Sequence, residues 1–125
     1  MTLKIKHRAN GEQMEGMIKC VDVIRVEVDS GYVSLFGVLK EALEQAQAGK
    51  GKERHAKDGE PFEQQKICEI TRRVGLGGPL FQVCKKTIEA QKLGGERGVQ
   101  ELLGAINYLA AAIIVMREDV REPAK

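Results

Sequence analysis

The stretch Ala105-Ile106-Asn107-Tyr108-Leu109-Ala110-Ala111-Ala112-Ile113-Ile114-Val115-Met116 decides the fold, because the apolar run is interrupted only by Asn107. A helix of this composition has no face for water and must be surrounded by protein on every side. It is shorter than the roughly 20 residues that a bilayer-spanning helix needs, so no membrane span is expected. A chain of 125 residues can hardly enclose such a helix alone. The first expectation is that it packs on a sheet and on a second copy of itself, in a dimer or a higher symmetric oligomer. The other is a central helix wrapped by the protomer's own sheet and helices.

Helical spacing extends back through Leu103, Leu102 and Val99 to Glu96, an acidic residue suited to the positive end of the helix dipole, and forward to about Arg117. Before the break at Gly94-Gly95, the residues Leu80, Val83, Cys84, Thr87 and Ile88 mark another helix, with Pro79 in its first turn. Ile67, Ile70 and Val74 mark a third, stopped by Gly75-Leu76-Gly77-Gly78. Leu35, Phe36, Leu39, Leu43 and Ala46 mark the first helix of the chain, which follows the turn Asp29-Ser30-Gly31 and stops at Gly49.

Toward the N-terminus the period changes from helical to alternating. Residues 3–7 read Leu-Lys-Ile-Lys-His, and Asn10-Gly11 is a strong hairpin signal. In 18–28 the residues Ile18, Cys20, Ile24, Val26 and Val28 share one face, with Asp22 marking a bulge. The pattern predicts an α+β fold: a small N-terminal antiparallel sheet packed on a C-terminal helical layer, within a single domain 1–125. Its parts are a β-hairpin region at 1–33, the first helix at 34–48, a basic loop at 49–61 and a helical region at 62–121.

Twenty Lys and Arg against eighteen Asp and Glu leave a net charge of +2, too balanced for a protein that lives on long nucleic acids. The three cysteines, Cys20, Cys68 and Cys84, show no CxxC spacing and sit beside apolar residues, which is the usage of reduced, packed thiols and points to a cytoplasmic protein. No apolar stretch of signal-peptide length opens the chain. There is no phosphate-loop, HExxH, GxSxG or EF-hand motif, and His7 and His55 are the only histidines, so no catalytic residues, metal or cofactor are expected.

The most informative polar stretch is Gly49-Lys50-Gly51-Lys52-Glu53-Arg54-His55, where cationic side chains stand on a glycine-loosened backbone that lets N–H groups approach an anion. Lys52, Arg54 and His55 are candidate phosphate ligands, and Phe62 with Gln64-Gln65 could hold a base; the plain alternative is a solvated connection. Arg72 and Arg73, with Gly77-Gly78 leading into a helix, form a second candidate anion site or simply a tight turn. Asn107 either sets helix register across an oligomer or reads a ligand. Arg117 and Arg121 share one face of the last turn, as cations at a helix end or as ligand residues. Glu41 with Glu44, and Glu60 with Glu63, show a spacing that can bring two carboxylates near a divalent metal, although surface pairs of this kind are commonplace.

The run Glu101-Leu-Leu-Gly-Ala-Ile-Asn-Tyr-Leu109, preceded by the basic stretch, Pro61-Phe62, an Ile-rich helix and a Lys-Lys helix, resembles the last helix of phage nucleotide-kinase and MazG-like pyrophosphatase domains. The order of the whole chain, a small sheet followed by long helices with exposed arginines, is similar to the phage anti-Thoeris sponge proteins. That resemblance implies an oligomer that captures, without cleaving, a cyclic ADP-ribose derivative or cyclic oligonucleotide in phage counter-defence. In that setting Phe62 or Phe81 would stack on a base, and Arg54, Arg72, Arg117 and Arg121 would bind phosphates. The MazG-like alternative implies a magnesium-dependent nucleotide pyrophosphohydrolase, but the paired carboxylates such enzymes place on facing helices are sparse here. A third class is an adaptor acting through the helical surface.

Overall fold

The chain falls into two compact units, Met1–Phe36 and Gly37–Lys125. The computed structural model describes residues 3–7, 22–48 and 59–121, and the side chains of 3–7, 22 and 119–121 are outside that description. In the first unit, strand β1 (Leu3–His7) pairs antiparallel with β2 (Asp22–Val26), from Leu3 opposite Val26 to His7 opposite Asp22. A two-residue loop at Asn10-Gly11 would set His7 opposite Met14, so this register belongs to a longer connection; Asn10-Gly11 itself, with Ile18 and Cys20, lies outside the described residues. Asp22 ends the ladder and does not form a bulge within it. A 3-10 turn, Ser30–Tyr32, follows, with the Tyr32 N–H donating to the Asp29 carbonyl at 2.8 Å.

The expected α+β architecture is overturned, because the described chain is mostly helical, with four helices. Among the described residues the β-structure is one two-stranded ladder, with no further strand to build a layer. Alternation along a segment reports that it is extended, but not how many strands gather beside it. A layer stable by itself needs three or more strands with an apolar face. On β2, Ile24 is 53% exposed and Val26 only half-buried, as is Val28 just beyond the strand, so the expected buried face is incompletely covered.

The helices are α1 (Val33–Ala48), α2 (Lys66–Val74), α3 (Gly77–Leu93) and α4 (Gly95–Arg121), with a 3-10 turn at Phe62–Gln64 leading into α2. Gly75 and Gly94 end α2 and α3 at φ 84° and 62°, conformations that favour glycine, and their N–H groups donate to the carbonyls of Thr71 and Ala90. Gly94 reverses the chain, so α3 and α4 form an antiparallel helical hairpin. Small residues let the two backbones approach. A Cβ on Gly98 would sit 2.6 Å from the Ala90 carbonyl oxygen, and one on Gly104 would meet the Lys86 side chain at 3.1 Å.

Helix α2 lies across the other end of α4, where Ile67, Cys68, Ala111 and Val115 are buried together, with Phe62 and Tyr108 packed against them. Lys86 is 8% exposed; its Nζ donates to Glu101 Oε2 at 3.2 Å and lies 5.9 Å from the Tyr108 ring centroid. Within α4, Gly95–Glu118 is long and apolar enough to cross a membrane by length and composition, and a third of that segment, 33%, is buried in protein. The apolar character thus extends beyond the run at 105–116, because Val99, Leu102 and Leu103 prolong it.

Gly98→Ala forces α3 and α4 apart and is expected to cost about 1–3 kcal/mol, read as a lower urea midpoint with unchanged slope. Gly37→Ala, at a helical position of α1 with nothing within 4 Å, should instead stabilise by about 0.5–1 kcal/mol.

Candidate functional site

Alanines on facing helices leave a trough, because their side chains are too short to fill the space between two backbones. Here Ala42 and Ala46 on α1 stand across from Ala110 on α4, and Leu39, Leu43, Ile106 and Ile114 form the apolar walls. The chain between Gly59 and Gln65, including Phe62, closes one end, and the resulting groove has a volume of about 660 Å³. All of these residues belong to the second unit.

Side-chain amides hold the groove's two long walls together. Asn107 Nδ2 donates to the Ala42 carbonyl at 2.9 Å and to Gln45 Oε1 at 3.4 Å. Gln45 Nε2 donates to the Gln100 carbonyl at 2.9 Å and to Gln100 Oε1 at 3.2 Å. The buried Gln65 donates through Nε2 to the Glu60 carbonyl at 2.9 Å, which shapes the groove's end. Asn107 therefore ties α4 to α1 of its own chain through its Nδ2, and these bonds do not use its Oδ1.

The other predicted residues fall in different places. Phe62 lines the groove while packing on the core cluster, so its role is at least partly structural. Phe81 is 64% exposed on α3 and does not line the groove. Arg72 is engaged by Glu118, with Nε 2.8 Å from Oε1 and Nη2 2.7 Å from Oε2, and it also donates to the Glu63 carbonyl. The Glu118 hydrogen bond raises the Arg72 pKa. This fork joins α2 to α4 and leaves Arg72 poorly placed to receive an anion. Arg73 pairs with Glu69 at 3.1 Å, and the Gly78 N–H donates to the Gly75 carbonyl within the turn. Arg117 is exposed on α4, away from the groove's lining.

Lys52, Arg54 and His55, and the side chain of Arg121, lie outside the described residues. The attachment points of the basic stretch are nevertheless described. Gln47, near the end of α1, and Gly59, where the described chain resumes, both line the groove. The described residues on either side of the segment carrying Lys50, Lys52, Arg54, His55 and Lys57 therefore both belong to the groove's lining. Leu39, Leu43, Gln45 and the Ala42 and Ala46 pair were not singled out from sequence as site residues. The four-residue spacing of the two alanines is the signal that could have found them.

Among the described residues no group of three or more His, Cys, Asp and Glu side chains could hold a metal ion, so neither Glu41 with Glu44 nor Glu60 with Glu63 belongs to such a group. Cys68 and Cys84 are free thiols. Burial is the main cause that pushes the Cys68 thiol up to about 11, only partly opposed by the nearby Arg72 guanidinium. No protein-family model, curated protein or solved structure matches the chain.

Because the thiolate is the reactive form, iodoacetamide in mildly alkaline buffer should alkylate the exposed Cys84 well before the buried Cys68. Peptide mass mapping over time reads the order, and equal labelling of the folded protein would contradict the packing of Cys68 under α4.

Proposed function

We propose that the protein captures a small phosphorylated nucleotide in the α1–α4 groove without transforming it. The observation that carries this reading is that Gln47 and Gly59, the described residues flanking the basic stretch, both line the groove. An apolar trough beside a cationic, glycine-rich segment suits a ligand with a flat apolar body and an anionic group. The base would lie among Leu39, Leu43, Phe62 and Ile106, with Asn107 Oδ1 as a polar contact, while Lys52, Arg54 and His55 meet the phosphates. The resemblance to phage sponge proteins makes cyclic ADP-ribose derivatives and cyclic oligonucleotides the first ligands to try, in the cytoplasm of an infected cell. A second reading, an adaptor that takes an amphipathic helix in the same groove, is favoured by Leu39 and Leu43, which are 46% and 54% exposed at helical i,i+4 spacing.

The purified protein, incubated with candidate nucleotides and magnesium and then heated, is expected to release unaltered ligand by mass spectrometry. Released product would point to a hydrolase or kinase, and no retained nucleotide would favour the adaptor. Arg54→Ala should weaken binding by about 1.5–3 kcal/mol, the range for hydrogen bonds to charged groups, and affinity should fall with rising salt. Ala46→Trp, which fills the trough and leaves the basic stretch intact, should abolish retention at an unchanged melting temperature. Binding by Ala46→Trp at wild-type affinity would remove the groove from the site.

A further inference from the structure

The exposed side of α4 carries a pattern that neither the core nor the groove accounts for. Val99, Leu102, Ile106, Leu109, Ile113 and Met116 recur at alternating steps of three and four, the spacing of a two-helix seam. Val99, Leu102, Leu109, Ile113 and Met116 are between 39% and 51% exposed, and Ile106 is half-buried at the groove's edge. Gly104, Ala111 and Val115, toward the opposite side of the helix, are buried against α2 and α3. The outward stripe is therefore a separate apolar ridge along most of α4.

We propose that this ridge pairs with the same ridge of a second copy of the chain, in an antiparallel seam about a twofold axis that passes between Asn107 and Tyr108. With that axis, Val99 meets the partner's Met116, Leu102 meets the partner's Ile113, and Ile106 meets the partner's Leu109. Every layer then sets a side chain branched at Cβ against one that is not, so layer volumes stay nearly even along the seam.

Charge selects the direction. Glu96 and Arg117 are exposed, lie on the same flank of the ridge and bound its two ends. In the antiparallel arrangement Glu96 faces the partner's Arg117, and symmetry repeats the pair at the other end. In a parallel arrangement each flank faces the partner's opposite flank, so Glu96 and Arg117 would not meet and both charges would go unpaired across the seam. Antiparallel packing also opposes the two helix dipoles. The self-complementary order of shapes and charges favours a second copy over an unrelated partner. Against a lipid surface, the ridge is a narrow stripe with a charge at each end and no broad apolar face. The pairing stands independently of the nucleotide reading, although Ile106 belongs to both groove and seam and so places the partner beside the ligand site.

Light scattering of the full chain at micromolar concentration is expected to give twice 13.8 kDa. Ile113→Asp should give a folded monomer, with circular dichroism reporting the fold. Should that variant unfold, charge reversal decides. Glu96→Lys and Arg117→Glu should each weaken the dimer roughly tenfold, since each replaces two attractive pairs by repulsive ones, and the double variant should restore wild-type affinity. A folded wild-type chain that stays at 13.8 kDa, with or without binding to phosphatidylcholine vesicles, would overturn the proposal. So would a dimer whose affinity ignores both single reversals, because its interface would then be parallel or on another face.

Discussion

Helix α4 presents apolar side chains around almost its whole circumference between Ala105 and Met116, and water on any of that surface costs free energy of roughly 25 cal/mol per Å². The remaining elements of the second unit can be understood as partial covers for this surface. The hairpin partner α3 comes close enough at Gly98 that even a methyl group there would clash with the Ala90 carbonyl. The short helix α2 brings Ile67 and Cys68 against Ala111 and Val115. Helix α1 covers its side more loosely, held by amide hydrogen bonds from Asn107 and Gln45 over alanines that leave open volume. Each cover takes a different sector of α4, and the sector bearing Leu109, Ile113 and Met116 receives none from its own described chain.

The need to cover α4 also determines which charged groups remain available for binding. Lys86 runs its aliphatic stem over Gly104 and brings its ammonium to Glu101 and the Tyr108 ring, so a cation serves to seal the α3–α4 contact. Arg72 does comparable work between α2 and the end of α4 by gripping Glu118. Both cations are engaged in holding helices together. The described residues that flank the basic stretch, Gln47 and Gly59, line the groove. That division between structural cations and a cationic segment flanked by groove residues is the physical basis for seeking an anionic ligand there, and not at the Arg72 turn.

Under the proposed function, the loose packing of α1 supplies the room a ligand needs. A tightly interdigitated α1–α4 contact would leave no room for a ligand, whereas an amide-clipped contact over alanines keeps the walls apart while fixing their register. Affinity in such a site comes mainly from apolar contact in the trough, and orientation from the few polar groups at its edge. If a second copy lies along the neighbouring ridge, Ile106 couples the two surfaces, because its side chain borders both.

The sequence by itself determined the helices and their ends, since periodicity, Pro79 and the glycines at 75 and 94 act through neighbouring residues along one chain. It also made plain that 105–116 needs company on every side. Two extended segments were legible, but not that they would form only a short ladder with an incompletely covered face beside four helices, because alternation reports extension and not what covers it; the α+β expectation failed for that reason. The partners of Arg72, Asn107 and Lys86 were not legible either, since they lie 46, 65 and 15 residues away. Only the tertiary structure decided that Arg72 would meet a carboxylate and that Asn107 would bond its own α1. The same holds for the groove, which opens where alanines distant in sequence come face to face. Local spacing specifies which faces are apolar, whereas the packing of whole helices specifies which of those faces are covered.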